Sequence, residues 1–504
     1  MRGPSLALTL CVVRHVRVAQ SHTTMSRKMK TKLPTPYLSS IFCAVVFVAC
    51  GFAALPAHAI GSTEPLVDIL NAPGSAGLGL ATRIETSPYV GGVTRYDLLP
   101  LYLYEGERLF LHANRVGIKL INQGDRVTES SGGRLDLFVE QRAEGHPVDE
   151  KLPVSLTGMA PRNSGIDLGL SYKYRQPWGT AQAELVHDVG STSKGSEARF
   201  GYSYDWRSGA FLLRPTLSVS FRNANLNNYY YGITPGEATL ARPAYMPGAG
   251  VSTQIGLYGY YDLSTRWRLL GGLSATYLGS SVQNSPIVQR RVLPAVYVGA
   301  VYDFGGHKRE WAEENTPTYF KALYGRASEP GCHLARIITA RCASLDNANP
   351  TSIAGIQVGK PFINQLNGWP LDFAGYFRVT RHNDRGLQPN GAQLDLFMKA
   401  TYSGFPWSNR IKTRLGLGLG ISAAQRVPYA EVSSQIGKTT SKILNYMDPT
   451  IDISLGDLIG SRALKETYIG FGVSHRSGIF GASRLLGNVD GGSNYIYTYF
   501  ETAL

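Results

Sequence analysis

From Leu213 to Arg222 the chain alternates without a break. Leu213, Pro215, Leu217, Val219 and Phe221 are apolar, and Arg214, Thr216, Ser218, Ser220 and Arg222 are polar. A period of two puts the sets on opposite faces of a strand, whereas an amphipathic helix repeats every 3.6 residues. The pattern recurs at 166–174, where Ile166, Leu168, Leu170, Tyr172 and Tyr174 stand against Asp167, Ser171 and Lys173. It returns at 251–262 and 266–277, with Val251, Ile255, Leu257 and Tyr261, then Trp267, Leu269, Leu273, Ala275 and Tyr277, on the apolar side. Runs of about nine to eleven residues suit a tilted membrane crossing. Tyr outnumbers Phe, 29 to 18, and aromatics at strand ends suit interfacial girdles. A soluble β-sandwich also alternates, but strand length and the many Tyr on apolar faces favour the membrane. Strands in lipid have no water to bond and must close on themselves. The fold class is therefore all-β, an antiparallel transmembrane β-barrel.

The N-terminus agrees with export. Residues 29–59 combine Lys30 and Lys32, an apolar stretch from Ile41 to Leu55, and Ala57-His58-Ala59, the three parts of a cleavable signal peptide. The apolar stretch is short for a spanning helix. The mature chain then begins near Ile60, and residues 1–28 precede a second start at Met25 or Met29. Lipoprotein processing at Cys50 is the alternative, with Phe47 a poor fit to a lipobox. Residues 1–59 hold seven Lys/Arg and no acid, so their removal lowers the net charge from +14 to +7. Without a basic run, a zinc pattern or a helix-turn-helix, nucleic acid is not a partner. Cys332 and Cys342 alone remain, ten residues apart, and predict a disulfide in an oxidising compartment. A metal site there would have only His333 nearby, and zinc wants four ligands. No cofactor is predicted: Gly416, Gly418 and Gly420 alternate with Leu415, Leu417 and Leu419 in a strand whose glycine face, with Lys412, Arg414 and Ser422, marks the lumen.

Residues 295–304 resemble a closing strand, with Val296, Val298, Ala300, Tyr302 and Phe304 on one face. The polar stretch that follows, 305–317, reads as a linker. Eight candidate strands come next, near 318–326, 352–358, 370–380, 391–402, 409–423, 448–455, 466–477 and 493–503. With entry from the periplasm, 403–408 and 456–465 become short periplasmic turns, and 327–351 and 424–447 long external loops. Two consecutive barrels follow, one of about 10–12 strands over 60–304 and one of eight over 318–504. A single barrel of about twenty strands is the alternative.

Residues 60–304 resemble the MipA/OmpV family. The likeness rests on Ser87-Pro88-Tyr89-Val90-Gly91-Gly92, on Leu226-Asn227-Asn228-Tyr229-Tyr230-Tyr231-Gly232-Ile233-Thr234-Pro235-Gly236-Glu237-Ala238, on Arg242-Pro243-Ala244-Tyr245 and on Ser285-Pro286-Ile287-Val288. The resemblance implies an outer-membrane barrel, in some members a scaffold between a murein hydrolase and a murein synthase, and no catalytic residues. Residues 307–504 are similar, over fewer positions, to lipid A 3-O-deacylase (PagL-like) barrels. That likeness implies Ser477 as nucleophile, His475 as base and Asp490 as the acid. Gly478 stands where that family has Asn, and Asp490 where it usually has Glu.

Period two puts His475 and Ser477 on the face of Ile469, Phe471 and Val473, towards the outer leaflet, where polar side chains are costly. An ester of lipopolysaccharide could reach them there, with the imidazole as general base. The bland reading makes His475 and Arg476 interfacial residues on lipid phosphates and lets Ser477 start the loop. Glu501 is carried to the opposite, periplasmic side. Tyr229–Tyr231 pack a long loop over or inside the barrel, or bind sugar. Three functions follow: a scaffold for murein enzymes, a lipid A acyl-ester hydrolase in the second barrel, and a passive pore, which lumens filled by side chains disfavour.

Overall fold

The computed structural model describes residues 66, 68, 70, 76–123, 131–142, 144–145, 153–304, 317–434, 440–479, 483, 486, 489 and 491–504. The leader 1–59, all but the last residue of the linker 305–317, and Asp490 lie outside them.

The first part carries β1 (Ala76–Thr86), β2 (Thr94–Glu105), β3 (Leu109–His112), β4 (Arg115–Asn122), β5 (Gly132–Gln141), β6 (Ile166–Gln176), β7 (Gly179–Asp188), β8 (Ser196–Ser203), β9 (Trp206–Ser208), β10 (Phe211–Arg222), β11 (Gly250–Asp262), β12 (Trp267–Tyr277) and β13 (Val292–Asp303). Sequential neighbours pair antiparallel and β13 returns to β1, so twelve strands close a ring. The short β9 continues the line of β8 along β10 after a break at Tyr204 and Asp205. Opposite that break stands Pro215, which has no N–H to give a ladder; its carbonyl accepts the Tyr204 N–H instead.

The second part carries β14 (Tyr319–Ala327), β15 (Ser352–Ile363), β16 (Leu371–Asn383), β17 (Gly391–Tyr402), β18 (Thr413–Ala424), β19 (Ile443–Ser454), β20 (Thr467–Ser477) and β21 (Gly492–Ala503), closed by β21 on β14. Two closed rings replace the alternative of one barrel of about twenty strands. Each ring begins and ends at the same rim, which also carries short turns such as 177–178 and 263–266; the other rim bears the long connections 223–249 and 328–351. That asymmetry makes the first rim periplasmic. Trp178, Trp206, Tyr261 and Trp267 are exposed near it, as an aromatic girdle requires.

The eight-strand lumen is packed solid. Arg378 is wholly buried and donates to Asp395 at 3.0 Å, Asp448 at 3.2 Å and Ser474 at 3.0 Å. Lys399 meets Asp448 at 3.1 Å, and the Tyr497 hydroxyl donates to the same carboxylate at 2.7 Å. Below them Arg414 bridges Asp452 and Glu501, and Lys321 lies 3.1 Å from Glu501. A charge without water is stable only if paired and hydrogen-bonded, and here each acid is shared among several donors.

The twelve-strand lumen has two unlike walls. Leu99, Leu101, Leu103, Leu212, Leu270 and Val301 point inward from β2, β10, β12 and β13. The opposite wall is ionic: Arg115 binds Glu140 and Glu184 at 2.7 Å, and Arg142 binds Asp167 at 2.6 Å and Glu197 at 2.7 Å. Arg222 holds Glu144 with both terminal nitrogens, at 2.9 and 2.7 Å.

Candidate functional site

The four sequence blocks that carry the resemblance come together as one cap over the outer rim of the first ring. The NNYYY block forms α1 (Ala224–Tyr231), whose N-cap Asn223 accepts from Leu226 N at 3.1 Å. Tyr89 of the first block donates its hydroxyl to Tyr230 O at 3.3 Å, and Ser285 of the last donates to Tyr231 O at 2.7 Å. Thr234 and Glu237 make a capping box. Glu237 also takes both oxygens to Arg162 at 2.9 Å and accepts the Ala160 N–H at 2.9 Å. Burial would raise that carboxyl, but the Arg162 guanidinium and the Thr234 and Ala160 amides hold it down to about 2. Arg242 ties the cap to the neighbouring loop through Ser155 O and Thr157 O, and Tyr245 reaches Ser281 O at 2.7 Å. Burial pushes the Tyr230 and Tyr231 phenols well above their ordinary range, so both stay neutral and packed. The tyrosines therefore seal the barrel rather than present an open sugar platform. Val154, Leu240 and Met246 protrude from the cap.

In the second ring His475 and Ser477 both lie on the outward face of β20, with Phe471, which is 65% exposed. The structure does not join them: among the described residues no hydrogen bond links the two side chains. Ser477 Oγ accepts the Ile479 N–H at 3.1 Å. His475 Nδ1 lies 2.7 Å from Oδ1 of Asn494, its partner across the β20–β21 ladder. Asn494 Nδ2 donates to Cys332 O at 3.3 Å, which fixes Oδ1 as acceptor and Nδ1 as the protonated ring nitrogen. Nε2 is then the basic nitrogen. Asp490, the third member by resemblance, lies outside the described residues. Cys332 and Cys342 are bonded, with Cα atoms 5.7 Å apart, so the carbonyl that receives Asn494 belongs to a disulfide-closed loop.

Arg476 is not an interfacial lipid contact. It points into the lumen and holds Glu431 of α2 (Tyr429–Ser434) at 3.2 Å, with Ser422 Oγ at 3.0 Å. Burial keeps the Glu431 carboxyl above its ordinary range in spite of that guanidinium. Glu501 is likewise committed, to Lys321 and Arg414 at the periplasmic end.

A bonded His–Ser pair does occur, in the first ring. His187 Nδ1 and Ser196 Oγ are 2.9 Å apart, directly opposite in the β7–β8 ladder and outward-facing beside Leu168 and Leu185. No sequence motif marks it, because nine residues and a hairpin separate the partners; only the register brings them together. Among the described residues no carboxylate is hydrogen-bonded to His187, so the pair lacks the third group that orients a catalytic base.

Comparison with known proteins places residues 78–304 under the family described as MltA-interacting protein MipA. The outer membrane protein Omp26La of Vibrio anguillarum is 32% identical over 194 residues, which is 38% of this chain and 73% of that protein. The MltA-interacting protein of Escherichia coli (strain K12) is 23% identical over 237 residues, 47% of this chain and 93% of that protein. Among solved structures, the FrpB iron transporter from Neisseria meningitidis is 10% identical, covers 88% of this chain and 83% of that chain, and has a TM-score of 0.21. Agreement at that level carries no argument.

Proposed function

The chain belongs to the MltA-interacting protein MipA family, and we propose from that premise that it is a scaffold holding a murein-cleaving or murein-building enzyme at the periplasmic face of the outer membrane. It is an outer-membrane β-barrel protein. The observation that carries the scaffold reading is the sealed first ring. Its outer rim is closed by a cap built from Tyr89, Tyr230, Tyr231 and Ser285, so the barrel offers surfaces rather than a passage. The name of the Escherichia coli relative, aligned over nearly all of that protein, supplies the class of partner. The periplasmic turns are the surfaces within reach of the cell wall. Purified chain immobilised in detergent should retain the purified lytic murein transglycosylase of the same cells at micromolar concentration. Retention should fall when turns 177–178 and 263–266 are replaced by Gly-Ser. No retention by the intact chain sinks the reading.

A second reading, a lipid A acyl-ester hydrolase, is favoured by one observation: Asn494 holds Nδ1 of His475 on the outward face of β20, the face that Ser477 shares. Ser477 would attack the ester carbonyl, and His475 would take its proton and pass it to the sugar hydroxyl that leaves as the ester C–O bond breaks. Water, deprotonated by His475, would then cleave the acyl-serine to a free fatty acid and restore the serine hydroxyl. Mass spectra of lipid A from cells expressing the wild type, Ser477→Ala and His475→Ala decide it. Loss of one acyl chain in the wild type alone supports hydrolysis. Unchanged lipid A despite confirmed membrane insertion removes it.

A further inference from the structure

Three residues ahead of β1, Leu66, Asp68 and Leu70, lie inside the first ring. Leu66 and Leu70 are 0% and 3% exposed and pack on the apolar wall with Leu103, Leu212, Leu270 and Val301. Asp68, between them, crosses to the ionic wall and meets Lys173 of β6 at 2.5 Å and Arg214 of β10 at 2.6 Å. Arg268 of β12 donates to Leu70 O at 3.4 Å. These anchors sit in the periplasmic halves of their strands. The inward leucines thus have a cause: they form a socket for Leu66 and Leu70. Beyond these residues lies a cavity of about 190 Å³, lined by Asp68 itself, Glu197, Arg199, Arg222, Ser218 and Gln254. It is polar and large enough for about six waters at ~30 Å³ each. Its far side lies under the tyrosine cap.

We propose that Leu66, Asp68 and Leu70 form a removable stopper, and that the cavity behind it is a periplasm-facing binding compartment for small polar solutes rich in hydroxyl, amide or zwitterionic groups. The lining suits such solutes because its charges are already paired across the wall, Arg222 with Glu144 and Arg199 with Glu197, so the cavity has no net demand for an ion. Hydroxyls and amides from Ser218, Thr276, Gln182 and Gln254 offer neutral hydrogen bonds at its surface. The three residues are held by two ion pairs, one hydrogen bond to backbone and the packing of two leucines, and a short stretch with so few anchors opens locally without unfolding the ring.

The test is thiol accessibility of Ser218→Cys in detergent, with Cys11, Cys43 and Cys50 changed to Ser, using a small positively charged methanethiosulfonate. Cys332 and Cys342 are already paired. With the stopper native, modification should be slow. Adding Asp68→Asn and Leu70→Asp removes an ionic anchor and places a charge in the apolar socket, and should speed modification about tenfold or more. Fast modification with the native stopper overturns the proposal, and so does equally slow modification in both forms when a gel mobility shift shows the barrel folded. A second variant, Leu70→Cys alone, should resist the reagent; rapid labelling there removes Leu70 from the lumen.

Discussion

In the eight-strand ring, inward side chains from opposite strands touch: Arg378 of β16 reaches Asp448 of β19, and Lys321 of β14 shares Glu501 with Arg414 of β18. In the twelve-strand ring the ion pairs stay mostly along one wall, from Arg115 to Arg222, and facing walls are joined by inserted pieces of chain. The difference follows from diameter, which grows with strand number; eight strands leave room only for side chains. The larger ring recruits other parts of the chain, a cap at the outer end and Leu66, Asp68 and Leu70 at the periplasmic end. A small barrel is thus filled by composition and a medium one by topology.

That contrast breaks or holds on matched deletions. Arg378→Ala would leave Asp395 and Asp448 buried with fewer partners in a lumen without space for water. Losing one partner of such a network costs about 3–5 kcal/mol. Arg222→Ala also removes a buried guanidinium, but Arg222 and its partner Glu144 line the cavity, where water can replace the donor. Its cost should be nearer 1–2 kcal/mol, the order of an exchanged charged hydrogen bond. Urea unfolding in detergent, followed by the gel mobility shift of the folded barrel, measures both. Equal losses would mean that the two lumens are equally dry and that the contrast is wrong.

Much of this architecture is legible in the chain, and its failures share one cause. Strand β17 reads at 391–402 as it stands, because Gln393, Asp395 and Lys399 keep the inward phase polar at all but Phe397. Strand β19 reads only from 448, yet it begins at Ile443. Its first inward residues are Leu444, buried against Leu486 and Val489 of a loop, and Tyr446, so the polar phase is lost. In β2, Leu98-Leu99-Pro100-Leu101 shows no alternation, since one face meets the membrane and the other the stopper wall. Alternation reports a strand between oil and water. Where another part of the chain fills the lumen, that signal disappears. The candidate residues divide similarly: His475 and Ser477 stand out as an i, i+2 pair, while Asn494 and the His187–Ser196 pair depend on a register that spacing alone does not reveal.

The smallest effect concerns the cap, and it sharpens the comparison because Glu237 holds inserted chain together at the rim of the larger ring, whereas Glu431 of the smaller ring meets a strand residue, Arg476. Glu237 is ordinarily protonated near 4.5 and is held down to about 2 in the folded cap. A depressed carboxyl stabilises the fold fully above its unfolded value, and that stabilisation is lost as pH falls through the folded one. Hydrogen-exchange protection of 226–238, corrected for intrinsic rates, should therefore hold constant down to about pH 4.5. It should then decline progressively and level off below about pH 2. Glu237→Gln keeps the shape without the charge, so its protection should be lower at neutral pH by about 1–2 kcal/mol, the range for a charge-assisted hydrogen bond exposed to some solvent. The two profiles should converge at the acid end. Parallel profiles across the whole range would show that the cap rests on its tyrosine packing alone, and its ionic lock would then be incidental to the seal.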